Sequence, residues 1–128
     1  MHDKDLQDFS LELRNLIVRI SGYCDGPSHL GGALSLVEGF VAAHGCILNR
    51  DIGAKLTDEH GGLILSKGHA VLLLYAYLIH AGFLSEQTFA DSYKKGATKL
   101  LGHPVKCPEL GIEFSTGSLG MGLGLAVG

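Results

Sequence analysis

The 128-residue chain has no tryptophan, three prolines and three cysteines. Cys24, Cys46 and Cys107 are odd in number and far apart. That pattern fits reduced thiols in a cytoplasmic protein better than a disulfide framework or a zinc site. Basic excess is also missing: 10 Lys and Arg face 13 Asp and Glu, a formal charge of −3. Without a cationic footprint, nucleic-acid binding has little support, and no nucleic-acid partner is expected. The longest uninterrupted apolar run, Ala70 to Ile79, is about half the ~20 residues a bilayer-spanning helix needs, so no membrane partner is expected. The N-terminus opens on Asp3, Lys4 and Asp5 rather than the apolar core of a secretory leader.

Glycine is what the chain has in excess: 19 of 128 residues, about twice ordinary usage. The glycines gather at Gly31-Gly32, Gly61-Gly62, Gly68 and from Gly117 to Gly128, where backbones or ligands come close. A hydrophobic content of 46% supports the core of one small domain, taken as residues 1–128.

Leu6, Phe9, Leu13, Leu16, Ile17 and Ile20 recur at three- and four-residue spacing, which predicts an amphipathic helix ending near Gly22. A second helix is predicted from about Ser35 to Leu48. Gly62 to Ser66 is short, apolar and glycine-flanked, the pattern of a buried parallel strand. Gly68 then turns the chain into a helix over Ala70 to His80, apolar nearly all round and therefore buried. Ser85 to Tyr93 reads as a short polar helix with Ser85 as its N-cap. Ile112 to Ser115 is a second strand candidate. Helices leading into short apolar strands predict an α/β architecture, but two strands cannot bury both faces of a parallel sheet, so the sheet is expected to be incomplete.

The chemistry is concentrated in four short segments. Ser115-Thr116-Gly117-Ser118-Leu119-Gly120-Met121-Gly122 passes from polar residues through glycines into an apolar stretch. A helix starting there would aim backbone N–H groups at one spot and favour an anion. His29, His69 and His103 each lie beside glycine, in Ser28-His29-Leu30-Gly31-Gly32, Ser66-Lys67-Gly68-His69 and Gly102-His103-Pro104. Imidazoles in such turns can donate to phosphate or sugar oxygens and move protons near neutral pH. Each alone could be a capping or surface residue; three beside a phosphate-type turn are a constellation. No carboxylate is singled out to complete a histidine zinc site.

These four segments, in this order, resemble motifs of the transketolase family. Ser28 to Gly32 is similar to the family's Ser-Gly-His-Pro-Gly, shortened and altered. Leu65 to His69 is similar to its Ser-Lys/Asn-Gly-His, and Leu101 to Pro104 to its Gly-His-Pro. Ser115 to Gly122 resembles its Thr-Gly-Ser/Pro-Leu-Gly-Gln-Gly. The 14-residue interval from His103 to Gly117 also agrees, and the likeness runs from about Leu11 to Gly128. The resemblance implies the helix-rich leading portion of a Rossmann-like, parallel-sheet domain that binds thiamine diphosphate. It implies transfer of a two-carbon ketol unit between ketose and aldose sugars or sugar phosphates. His29, His69 and His103 then take catalytic positions, His69 beside the cofactor as well. Gly117, Ser118 and Leu119 become cofactor-binding residues, with the Gly117 N–H given to the diphosphate.

Two mild departures are Leu30 in place of the family's Pro and Met121 in place of Gln. A larger one is that the family's magnesium motif and its activating glutamate have no counterpart in these residues, so no metal ligand is assigned here. The expectation is therefore an incomplete site that is inactive alone and completed in a homodimer or by a complementary C-terminal transketolase chain. The alternatives are another thiamine-diphosphate enzyme, of synthase or decarboxylase type, and a non-catalytic interaction module that keeps the fold.

Overall fold

A computed structural model describes residues 3–47, 51–58 and 61–128. The first helix, α1 (Asp3–Ser21), follows its apolar spacing: Phe9, Leu13, Leu16, Ile17 and Ile20 are buried on one face. Asp3 and Asp5 in its first turn and Arg19 in its last complement the helix dipole. The chain leaves through a turn in which the Gly22 and Tyr23 N–H groups donate to the Arg19 and Ile20 carbonyls.

Two short helices follow, α2 (Leu30–Leu34) and α3 (Val37–Ala42), and α3 widens into a π-helical turn over Ala43–Ile47. The single helix expected over Ser35–Leu48 is thus corrected: helix begins earlier, at Leu30, and breaks at 35–36. Leu48 lies outside the described residues. Residues 30–47 average a mean hydropathy of 1.4 over 18 residues. Val37, Phe40, Val41 and His44 nevertheless turn inward against the core.

The core is built on α4 (Val71–His80), entered through a 3-10 turn at Gly68–Ala70. Every residue from Val71 to Leu78 is buried, as an all-apolar helix requires. α1 packs across α4, while α2 and α3 pack against α1. Phe9, Phe40, His44 and Tyr77 form an aromatic cluster with ring centroids 5.0–6.4 Å apart. His44, whose sequence context suggests no role, is a core histidine with no solvent exposure. Its Nε2 lies 3.0 Å from the Asp51 carbonyl and 3.2 Å from the Tyr77 hydroxyl. A carbonyl only accepts, so Nε2 carries the hydrogen. Tyr77 in turn donates to the Ala54 carbonyl.

The short polar helix α5 (Glu86–Ser92) forms as expected, its N-cap Ser85 accepting from the Thr88 N–H at 3.0 Å. It is tied to α1 by the Arg19 guanidinium on Glu86, at 2.8 and 2.9 Å.

The strands differ from expectation. Among the described residues the one ladder is antiparallel, pairing β1 (Thr57–Asp58) with β2 (Gly61–Gly62). Beyond Gly62 the segment to Ser66 is not strand; its chain curls so that the Ser66 N–H meets the Ile64 carbonyl and the Gly68 N–H meets Ser66. Residues 112–115 make an isolated bridge, Cys107 to Ile112, and no strand. Apolar character and flanking glycine predict burial and extension. A ladder needs a partner, and neither segment pairs with the other. A 3-10 turn at Pro108–Leu110 and a last helix, α6 (Met121–Val127), complete the architecture, which is helix-rich with no parallel sheet among the described residues.

Candidate functional site

Three loops bring the predicted histidines together. His29 is the N-cap residue of α2, His69 sits in the 3-10 turn that starts α4, and His103 follows Gly102 in the segment before Pro104. The His29 ring centroid is 5.6 Å from that of His69 and 5.8 Å from that of His103, both near-perpendicular. Residues 40 and 74 positions from His29 thus share one small space with it. His29 and His103 are exposed and His69 is half-buried, so the rings can be reached from solvent.

Glycine makes this convergence possible. A Cβ on Gly68 would stand 2.9 Å from both N and Cα of Gly117, closer than carbon tolerates. The turn leading to His69 therefore touches the 117–120 turn backbone to backbone. A Cβ on Gly32 would stand 2.7 Å from His69 Cδ2, so α2 lies flush against that ring. A Cβ on Gly122 would fall 2.4 Å from Ser66 Cβ, which seats α6 on the same turn.

Thr116 locks the arrangement. Its buried hydroxyl donates to the Leu65 carbonyl at 2.7 Å and its N–H donates to the Pro104 carbonyl at 3.2 Å. The His103 ring then lies 3.5 Å from where a Gly117 Cβ would stand. From below, the Tyr75 hydroxyl donates to the Leu101 carbonyl at 2.9 Å. Burial pushes the Tyr75 phenol up from its ordinary value and raises Tyr93 to about 12, so both stay protonated at neutral pH.

Gly117, Ser118, Leu119 and Gly120 give their N–H groups to no backbone carbonyl among the described residues, and Gly120 has φ +84°. Ser118 and Leu119 are exposed. Unpartnered amides beside a glycine floor without side chains suit a phosphate oxygen. Among the described residues no group of three His, Cys, Asp or Glu is placed to hold a metal ion. Sequence reasoning missed the tie made by Thr116, although it lies inside a recognised motif.

The family model described as transketolase, thiamine diphosphate binding domain, matches residues 28–128. The chain belongs to this transketolase family. It is 35% identical over 124 residues to an apulose-4-phosphate transketolase subunit of Actinobacillus succinogenes, covering 97% of this chain and 45% of that protein. It is 34% identical over 124 residues to the 6-deoxy-6-sulfo-D-fructose transketolase subunit SqwG of a Clostridium species, covering 97% and 44%. Against the transketolase of Homo sapiens the identity is 46% over 65 residues, 51% of this chain and 10% of that one. The transketolase-family chain thus spans less than half the length of these relatives. No solved structure matches it.

Proposed function

We propose that this chain forms the histidine and diphosphate wall of an enzyme that transfers a two-carbon ketol unit from a ketose to an aldose. The observation that carries this reading is the convergence of His29, His69 and His103 on the Gly117 turn. An anionic diphosphate fits the 117–120 amides and the bare contact of Gly68 with Gly117, with Ser118 and Leu119 contributing backbone N–H groups. When bound, thiamine diphosphate supplies the electron sink for cleaving and forming the carbon–carbon bond. The chain's own part is orientation and proton handling. Two exposed imidazoles and one half-buried one, within 6 Å of a neighbour by ring centroid, can donate to sugar hydroxyls and take or return their protons. His69, half-buried against Gly32 and adjoining the Gly68 turn, is the imidazole this reading assigns to the cofactor side.

Magnesium belongs to this reading as an ion whose ligands the resemblance puts outside these residues. The partner is a second copy or a complementary transketolase chain; that two relatives are named as subunits supports the latter. Sugars or sugar phosphates are the substrates. The proposed parallel sheet would form when further strands lie beside 63–66 and 112–115. Three free thiols, at Cys24, Cys46 and Cys107, suit a reducing, cytoplasmic setting.

The test grafts residues 1–128 onto the Actinobacillus succinogenes relative in place of its matched stretch, assembled as the whole enzyme. Calorimetry should show magnesium-dependent binding of thiamine diphosphate. His29→Ala and His103→Ala should each lower turnover by about 10²-fold or more, with cofactor affinity little changed. A folded graft that binds no cofactor, or histidine variants with parental turnover, would refute the reading in favour of a non-catalytic module.

A further inference from the structure

Lys94 is the one non-glycine residue with positive φ, +55°, among those described. Lysine rarely adopts that conformation unless its surroundings enforce it. Here the Lys94 N–H donates to the Leu100 carbonyl at 2.9 Å and closes the loop from 94 to 100. The side chain then runs past Gly102, where a Cβ would stand 3.1 Å from Lys94 Cε. Its ammonium donates to the Pro27 carbonyl at 3.2 Å and lies 5.3 Å from the centre of the Tyr93 ring. Gly102 directly precedes His103, and Pro27 lies two residues before His29. One side chain therefore touches both loops that carry two rings 5.8 Å apart. His69 arrives separately, on the start of α4, and rests against Gly32.

We propose that Lys94 is a positioning residue, clamping the 25–28 loop to the 100–103 segment and so setting the spacing of His29 and His103; this rests on the reading of the site given above. The fold does not depend on the clamp. Tyr75 holds Leu101 and the buried Tyr93 ring anchors the loop, so removing the ammonium leaves both segments attached to the core and frees only their mutual placement. Gly102 belongs to the same device, because any side chain there would push the lysine stem aside.

The test uses the assembled graft enzyme with Lys94→Met, Lys94→Asn and Lys94→Arg. Asparagine tolerates positive φ, so Lys94→Asn removes the ammonium without adding backbone strain. Hydrogen exchange at the imidazole C2 position, read residue by residue by mass spectrometry, should change at least twofold at His29 and His103 in the Met and Asn variants. His44 and His80 should not change. Turnover should fall about tenfold, with cofactor affinity and sugar KM held within about twofold. Lys94→Arg, which keeps a donor, should recover most of the loss. Unmoved exchange at His29 and His103, or parental turnover in both Met and Asn variants, would overturn the proposal. So would a rise in sugar KM with kcat unchanged, which would make Lys94 a substrate contact instead. If the parent graft lacks cofactor-dependent turnover, the functional reading fails while the exchange comparison still decides the role of Lys94.

Discussion

Gly68→Ala separates close backbone contact from ordinary helix propensity, because the two predict opposite signs. Gly68 lies in a 3-10 turn without positive φ, so alanine there restricts the unfolded chain and should stabilise by about 0.4–1 kcal/mol if nothing intervenes. The structure puts an obstacle in the way. The added methyl would stand 2.9 Å from Gly117 N and Cα and 3.1 Å from Thr116 C. Comfortable carbon contact is near ~3.7 Å, so the 117 turn must retreat by about 0.8 Å. Every near atom is backbone, and Thr116 is pinned by its hydrogen bonds to Leu65 and Pro104, so relief by a side-chain rotation is blocked. Overpacking of this kind costs about 1–3 kcal/mol, which leaves a net loss of about 1–2 kcal/mol and a fall in Tm of about 4–8 °C. Gly31→Ala is the control: it sits in α2 with nothing within 4 Å, and should keep or raise Tm. Thermal unfolding followed by circular dichroism reads both. A Gly68→Ala protein as stable as Gly31→Ala would show that the backbone contact at the site is not tight.

Two further outcomes follow from other contacts. Thr116→Val removes the buried donor to the Leu65 carbonyl and should lower stability by about 1–3 kcal/mol in urea unfolding, whereas Thr116→Ser should retain most of it. The Arg19 guanidinium, bonded to Glu86, holds that carboxyl below its usual range, with help from the Tyr23 hydroxyl. A carboxylate depressed on folding contributes stability above its unfolded pKa, near ~4.3, which is lost as pH falls through the lower folded value. Glu38, held down by Arg14, adds the same sign in the same range. Glu86→Gln should therefore flatten the fall of Tm below about pH 5; an unchanged acid slope would show the pair to be inert.

The long helices were legible because one repeated pattern specifies each. Phe9, Leu13, Leu16 and Ile20 mark a face, Ala70 to Ile79 marks a buried rod, and Ser85 marks a helix start through its own hydroxyl. Short α2 was not legible, since Leu30 to Leu34 contains two glycines and draws its helicity from packing on α1 and on the turn before α4. The strand expectations at 62–66 and 112–115 failed for a related reason: extension is a local property, and pairing is not. The residues of the candidate site could be picked out one by one, because each histidine stands within two residues of a glycine in a short motif. The assembly of the site was not legible. That Gly122 seats on Ser66, or that Lys94 reaches back to Pro27, depends on how distant loops meet, and no local pattern carries it.

The pairing of α1 with α4 has a consequence for synthesis. The two helices that bury each other are separated by about 50 residues, and at ~5–20 residues per second this interval lasts roughly 3–10 s. For that time the newly made α1 presents Phe9, Leu13, Leu16, Ile17 and Ile20 with no α4 to cover them. Until Val71 to Leu78 arrive, α2 and α3 are the elements already made that can cover part of this face, and the 69 and 103 loops, which follow in the sequence, have not yet been made to join His29.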